Sequence, residues 1–159
     1  MRKLTPNEVS ALRGKLGSTV STAPSAALIA VYDAGFSSPD SSEYELQAGY
    51  LCACAAATQR GHIDGESMVQ ILADSAVEDG ISVNDSIIWR IFLNADTPCI
   101  LDAFAFAARK LIRDGHQIDI RELNADVLAW FSPDRTVAKK WISSLNEHYS
   151  RIKANRINA

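Results

Sequence analysis

The sequence predicts an all-α protein of about eight helices, packed as two small bundles in one compact unit. Apolar residues recur at intervals of three and four through most of the chain, which is the spacing of a buried helical stripe. Start signals for helices precede these stretches, and glycine ends them. No stretch shows sustained alternation of apolar and polar residues or a hairpin turn between β-branched runs. The two predicted bundles cover residues 1–80 and 81–159.

Five helices are predicted before residue 96. The first runs to about Lys15 from a capping box with proline at the first helical position, formed by Thr5, Pro6 and Glu8. Residues 25–33 fit a buried strand as well as a helix, and their alanine content favours a helix. The other three cover residues 42–60, 66–79 and 82–95. Their predicted buried side chains include Met68, Ile71, Leu72, Ser75, Ile87, Ile88, Ile91 and Phe92.

Three more helices are predicted in the rest of the chain. Thr97 and Pro98 mark the start of the sixth, whose buried stripe is Leu101, Phe104, Ala108, Leu111 and Ile112. Asp119 and Glu122 have the form of a capping box for the seventh, which buries Ile120, Leu123, Val127, Trp130 and Phe131. Ser132 and Pro133 end that helix and start the eighth, which buries Val137, Trp141, Leu145, Tyr149 and Ile152.

The charge of the chain is unevenly distributed. Its net charge is −3, and 47% of its residues are hydrophobic, as is usual for soluble globular proteins. From Arg109 onward there are ten basic residues against six acidic ones, whereas residues 1–108 hold six against thirteen. Such asymmetry indicates that the C-terminal part meets a polyanion. No signal peptide or membrane-length apolar stretch is found, so we expect a cytoplasmic protein.

The cysteines and histidines give little support to metal or enzyme chemistry. Cys52 and Cys54 lack the two-residue gap of a zinc site, and we expect buried thiols and no cofactor. The glycine-rich phosphate loops and the zinc-protease motif are absent. His116 lies near Asp119, which could orient it as a base, but the sequence ties no nucleophile to it. We therefore expect no catalytic residues.

Basic residues repeat on two helix faces without an acidic residue between them, which makes them candidates for nucleic-acid binding. They are Arg109, Lys110, Arg113, Arg135, Lys139 and Lys140. Arg135 and Lys139 are predicted four residues apart on the outer face of the eighth helix. A plainer reading of the whole set is a solvated helix face, which we adopt for Arg60 and Arg121.

Phe106 is predicted to point away from the buried stripe of the sixth helix, among its arginines. An exposed aromatic ring there could stack on an unpaired base or anchor a neighbouring protein. Alternatively, a second layer of the bundle covers it.

The order of features along the chain resembles the CasB family, the small subunit of the type I-E CRISPR Cascade complex. Four features occur in the order found in the family. They are a helix end at residues 93–96, a turn at residues 115–119, a helix that ends in tryptophan at residues 127–130, and a final helix with a basic start at residues 135–141. Looser matches lie at residues 12–16, 50–51 and 67–72. The resemblance thus covers nearly the whole chain.

This resemblance implies a non-catalytic subunit of an RNA-guided surveillance complex in antiviral defence. Two copies would lie head to tail against the backbone subunits and the large subunit. They would steady the guide RNA with its target strand and offer a basic groove to the displaced DNA strand. Because base pairing reads the sequence, contacts to the sugar-phosphate backbone suffice for the protein.

The chain also departs from the family, whose members tend to be basic. In neighbourhoods where the family carries arginine, this chain has Val69, Gln70, Ile87, Ile88 and Phe106. We therefore expect the isolated chain to bind single-stranded DNA only weakly near physiological salt. The main alternative is a structural helical adaptor that docks through its acidic N-terminal half and touches no nucleic acid.

Overall fold

The computed structural model describes residues 1–74 and 83–158, and within them the chain is all-α, as predicted. Its helices are α1 (Pro6–Leu12), α2 (Ser25–Asp33), α3 (Glu43–Thr58), α4 (Met68–Asp74), α5 (Val83–Asn94), α6 (Ile100–Arg113), α7 (Ile120–Ala129) and α8 (Thr136–Asn158). A short 3₁₀ turn spans Val20–Thr22. The described part of the chain contains one isolated parallel bridge, between Glu66 and Ile118, and no strand.

Local start signals give α1 and α3 their N-termini, as predicted. The Thr5 hydroxyl accepts from the backbone N–H of Glu8 at 3.3 Å, and the Glu8 carboxylate accepts from the N–H of Thr5 at 2.9 Å. Ser42 and Glu45 form the same reciprocal pair at the start of α3. Residues 25–33 form a helix, which resolves the ambiguity between helix and strand.

Helix α3 lies at the centre of the molecule, where it contacts α1, α2, α6 and α7. Its middle consists mainly of small buried residues, so neighbouring helices approach closely. A Cβ on Gly49 would lie 2.5 Å from the carbonyl oxygen of Phe36, which only glycine permits. Cys52 and Cys54 are fully buried in this helix, as predicted.

Three aromatic rings join the last three helices. Phe104 meets Trp130 and Trp141 edge to face, with 5.0 Å between ring centroids in each pair, and the two indoles lie 6.0 Å apart. Such edge-to-face pairs stabilise a core beyond the area that they bury. Each indole also has a polar partner: Trp130 donates to the carbonyl oxygen of Ala95, and Trp141 to the carboxylate of Asp126, both at 2.8 Å.

The Gln59 side chain holds the end of α3 against the loop that precedes α7. Its Nε2 donates to the carbonyl oxygens of His62, at 2.6 Å, and Ile118, at 2.9 Å. Its Oε1 accepts from the N–H of Ile118 at 2.9 Å. Next to it Arg60 adopts a left-handed conformation, with φ of 61°. The buried amide of Gln59 therefore fixes the chain reversal that carries Arg60.

The predicted start of α6 at Thr97 and Pro98 is wrong by two residues. Cys99 is the N-cap and makes no capping bond through its side chain. The Thr97 hydroxyl instead donates back to the carbonyl oxygen of Asn94, at the end of α5. Hydrogen-bonded turns replace the first turn of the predicted helix. In one of them the N–H of Ile100 donates to the carbonyl oxygen of Thr97.

The predicted features around α7 are correct only in part. Asp119 accepts from the N–H of Glu122, but Glu122 does not complete the capping box, because its carboxylate accepts from the hydroxyl of Ser67. Phe131, predicted to be buried, is 36% exposed because α7 ends at Ala129 and the ring lies in the following turn.

The predicted start of α8 at Ser132 and Pro133 is also wrong, because these residues lie in a turn. Arg135 is left-handed, with φ of 53°, and the helix begins at Thr136. The carboxylate of Asp134 accepts from the N–H of Thr136 at 3.2 Å, so aspartate takes the role predicted for Ser132.

Most predicted core positions are confirmed, with exceptions at the ends of helices. Phe92, Ile112 and Val137 are half-buried, whereas the other described side chains of the predicted stripes apart from Phe131 are buried. The predictions for Ser75, the start of the fifth helix at residue 82 and the side chains of Tyr149 and Ile152 lie outside the described residues. The predicted boundary between bundles at residues 80–81 lies there too, so the division into two bundles stays a prediction.

Residues 1–74 and 83–158 include no helix with both the length and the hydrophobicity needed to cross a membrane.

The carboxyl of Asp126 gives the fold a testable pH dependence. Burial raises its pKa above the ordinary 3.8, and the hydrogen bond from Trp141 opposes this shift. The folded chain then holds a proton that the unfolded chain has lost, so the free energy of unfolding falls as pH rises from 3.8 through the folded pKa. Asp126→Asn removes this dependence and keeps an acceptor for Trp141. We expect its stability relative to the unaltered chain to rise across this window and then level off, as measured by urea unfolding.

Asp134→Asn is the matched control with the opposite sign. Hydrogen bonds from Thr136 and Ser132 hold the pKa of the Asp134 carboxyl below its ordinary value. Its ionised form therefore stabilises the folded chain above the unfolded pKa, and this stabilisation is lost as pH falls through the folded pKa. The stability of Asp134→Asn relative to the unaltered chain should fall as pH rises. A rise in both variants would contradict the assignment for Asp134, a fall in both would contradict that for Asp126, and no change in either would contradict both.

Candidate nucleic-acid interface

Three arginines from distant parts of the sequence meet at one cavity of about 470 Å³. Arg13 is the C-cap of α1, Arg60 follows α3, and Arg109 lies in the third turn of α6. All three are exposed and line the cavity. Its remaining lining includes Gly14, Leu16 and Thr58.

Backbone geometry places each of these arginines. Arg13 ends α1 in an extended conformation, and Gly14 follows with φ of 74°. Arg60 occupies the left-handed position that Gln59 holds in place. The guanidinium of Arg109 donates to the carbonyl oxygen of Leu16, which ties α6 to the segment after α1.

Gly17 makes room for the Arg109 side chain. A Cβ at this position would lie 2.6 Å from Nη2 of Arg109. Gly17 also has φ of 96°, a conformation that residues with a side chain rarely adopt. The glycine therefore permits both the turn and the docked arginine.

A second cavity of about 370 Å³ shares Arg13 and Arg60 with the first and adds Lys3. We call the combined feature the basic groove and define it by Lys3, Arg13, Arg60 and Arg109. Lys3 and Arg13 precede α2, Arg60 follows α3, and Arg109 lies in α6. Four cations that are far apart in sequence thus share one concave surface.

The charged residues described in the lining of the basic groove are all cationic. No acidic residue is among the described residues that line either cavity. None of the four cations forms an ion pair within residues 1–74 and 83–158. Glu8 of α1 is bonded to Arg2 at 2.7 Å instead. Unneutralised cations around a concave surface attract a polyanion, and guanidinium groups suit phosphate oxygens.

The six basic residues predicted from the sequence do not all line one cavity. Arg109 lies in the basic groove. Further along α6, Lys110 forms an ion pair with Asp114 at 3.0 Å, and Arg113 is exposed. Lys140 on α8 is exposed as well.

Arg135 and Lys139 line a different cavity, of about 480 Å³. The prediction that they lie four residues apart on one helix face is wrong, because Arg135 precedes α8 and is left-handed. The guanidinium of Arg135 donates to the carbonyl oxygen of Ala95 at 3.0 Å and lies 3.4 Å from the carboxylate of Asp96.

Phe106 is half-buried and packs against the core instead of standing free. The guanidinium of Arg90 covers its ring, 3.9 Å from the centroid. This contact is a cation–π interaction within the chain. A base that stacked on this face of the ring would have to displace Arg90.

Arg13 and Arg60 were missed from the sequence. Arg60 was assigned to solvent because it lies at a helix end, and Arg13 was not considered. Both are followed directly by glycine, and both follow the last turn of a helix. An Arg-Gly pair at the end of two helices is therefore the signal that could have suggested a shared surface.

Three of the positions near which the resemblance would place arginine lie in the core. Val69, Ile87 and Ile88 are buried in the core. A cation there would be desolvated and unpaired, so these positions are not surface sites in this chain. Gln70, in contrast, is exposed and donates to Asp74 at 2.6 Å.

The two buried cysteines are thiols in a desolvated environment. Burial raises the pKa of the Cys54 thiol to about 12, so it is protonated near neutral pH. Burial raises the pKa of Cys52 as well. In the described part of the chain, no three histidine, cysteine, aspartate or glutamate residues are placed to hold a metal ion.

Comparison with known proteins places the fold. No family model matches the chain, and no curated protein matches it either. Two solved structures from Thermus thermophilus do. One, a CRISPR-associated protein of the Cse2 family, is 26% identical, with a TM-score of 0.68 over 88% of this chain and 85% of that one. The other, described as CasB, is 26% identical, with a TM-score of 0.66 over 91% of this chain and 86% of that one.

Both neighbours match the chain nearly end to end, and both bear the name of the family that the order of sequence features indicated. In fold and over most of its length, the chain is therefore similar to two proteins of the Cse2/CasB family of CRISPR-associated proteins.

Proposed function

We propose that this chain is the non-catalytic small subunit of a type I-E CRISPR surveillance complex, in which the basic groove holds nucleic acid by its phosphates. The similarity to two CRISPR-associated proteins supports a place in a CRISPR system. The observation that carries the nucleic-acid role is the convergence of Arg13, Arg60 and Arg109 on a cavity without an acidic lining residue among those described.

The chemistry of the groove suits backbone contacts rather than base recognition. Guanidinium and ammonium groups bind phosphate oxygens of any sequence. In an RNA-guided complex the guide reads the sequence by base pairing, so the protein needs only to stabilise the guide–target hybrid and the displaced strand. No base-specific contact is required of the chain.

In this proposal, the nucleic-acid strand runs from the basic groove along α6, where further basic side chains lie. Arg113 is exposed and forms no ion pair within the described residues, and Lys110 is only half-buried beside Asp114. On α8 the proposed phosphate contact is Lys140. Arg135 is less suited to this role because Asp96 already lies beside its guanidinium.

The partners in this proposal are the backbone and large subunits, a second copy of the chain arranged head to tail, the guide RNA and both DNA strands, in the cytoplasm. The net charge of −3 makes the isolated chain a weak binder of polyanions. The complex would therefore supply most of the affinity, and the groove would direct the strand.

Removing two arginines of the groove tests the phosphate role directly. The double variant Arg13→Ala, Arg60→Ala should bind single-stranded DNA about tenfold more weakly, because two phosphate contacts are lost. The slope of log affinity against log salt should become shallower by about 1.4, at about 0.7 for each contact. Fluorescence anisotropy of a labelled oligothymidine across a salt series measures both quantities.

Arg121→Ala is the matched control, because Arg121 is exposed, lies outside the groove and pairs with Asp64 at 3.6 Å. It should change neither the affinity nor the salt slope beyond the error of the measurement. Equal losses of log affinity per charge removed in the control and the double variant would show a general effect of net charge and would contradict a role of the groove.

The alternative function is a structural adaptor that docks through acidic side chains. It is favoured by a fourth cavity, of about 490 Å³, whose lining includes Glu66 and Asp74 with Gln70 and His116. A basic surface of a partner would fit there by charge. In this case the chain would enter a complex without touching nucleic acid.

Co-expression with the other subunits and a guide RNA separates the two functions. We expect the unaltered chain and the variant Arg13→Glu, Arg60→Glu to enter the ribonucleoprotein particle in equal amounts, as native mass spectrometry would show. The variant particle should lose R-loop formation, because reversed charges repel the strand. A variant particle that forms R-loops normally would favour the adaptor function, and an unaltered chain that stays outside the particle would contradict both.

A further inference from the structure

The cavity between the end of α5 and the start of α8 differs in chemistry from the basic groove. Its lining combines the apolar side chains of Ala95, Ala138 and Ile142 with the cationic side chains of Arg135 and Lys139. We call it the α8 cavity. We propose that the α8 cavity binds a short segment of another protein that carries a carboxylate beside an apolar side chain.

Apolar side chains line part of the α8 cavity, and others are exposed on α5 outside its lining. Ala138 is buried and Ile142 is half-buried at the α8 cavity. Two residues before Ala95, Leu93 is 66% exposed, and one turn earlier Trp89 is 51% exposed. Leu93 and Trp89 share one helix face because they are four residues apart. Large apolar side chains exposed together on one helix face are typical of protein interaction surfaces.

The cationic half offers hydrogen-bond donors to a ligand. Nη2 of Arg135 is occupied by Ala95 and Asp96 and its Nε is buried, so the ammonium group of Lys139 is the donor that a ligand can reach. Lys139 is exposed and forms no ion pair within the described residues. A carboxylate accepts hydrogen bonds only, so it suits the ammonium group of Lys139.

The same features disfavour a nucleic-acid strand. A strand gains nothing from the apolar lining and would carry several phosphates past the carboxylate of Asp96, which lines the cavity. A protein segment brings one carboxylate and buries an apolar side chain in the same step. Charge complementarity and the apolar lining thus favour a protein ligand, and this inference does not depend on the nucleic-acid role of the basic groove.

The test is an NMR titration of the full chain with an end-capped peptide of alternating leucine and aspartate. Its uncharged counterpart replaces each aspartate with asparagine. We expect the acidic peptide to shift the backbone amides of Ser143 and Asn146, which line the cavity. The asparagine peptide should bind at least about fivefold more weakly, because it lacks the charge that Lys139 and Arg135 recognise.

Two charge reversals on neighbouring residues give a matched pair. Lys139→Glu should weaken binding of the acidic peptide about tenfold, because Lys139 lines the cavity. Lys140→Glu makes the same charge change one residue away, outside the α8 cavity, and should leave binding within about twofold. Ser143→Trp fills the cavity from an exposed position and should also abolish the shifts.

Four results would overturn the proposal. They are equal losses in the two charge reversals, equal binding of the two peptides, larger shifts of the same amides by an oligothymidine, and shifts that grow with protein concentration without peptide. The third would assign the α8 cavity to nucleic acid, and the fourth would assign it to a second copy of the chain.

Discussion

The buried side chain of Gln59 is the contact on which the position of the basic groove depends. It joins the end of α3 to the loop before α7 with two hydrogen bonds to Ile118, makes a third to His62, and is only 6% exposed. The adjoining backbone pairing, from Glu66 to the loop at Gln117 and Asp119, strengthens the same junction. Because buried polar groups are costly to leave unpaired, this junction resists small shifts, and Arg60 is held beside Arg13 and Arg109.

The two functional surfaces follow from where helices end. The basic groove forms where α1 and α3 stop and where Arg109 of α6 reaches back to Leu16. The α8 cavity forms where α5 stops and α8 begins late, after the left-handed Arg135. Helix interiors supply the core, including the cluster of Phe104, Trp130 and Trp141. A chain with a net charge of −3 can thus present cations locally, because chain reversals place a few of them together.

Local signals predicted the helices well, and tertiary contacts decided what the sequence could not show. The capping boxes of α1 and α3 depend on residues three apart, so they are visible in the sequence. Glu122 does not make the predicted capping bond, because its carboxylate accepts a hydrogen bond from the hydroxyl of Ser67, which is distant in sequence. Arg109 was a candidate because it repeats with Arg113 on one helix face. Its partners Arg13 and Arg60 were missed because only the folded chain brings α1, α3 and α6 together.

The most direct test of the central claim is an NMR titration with an oligothymidine that follows the Nε–H signals of the arginine side chains. If the junction at Gln59 builds one phosphate site, the signals of Arg13, Arg60 and Arg109 should shift together along a single saturation curve. The signal of Arg121, outside the groove, should stay unchanged. Shifts that appear at Arg121 but not at these three arginines, or three separate saturation curves, would contradict the claim.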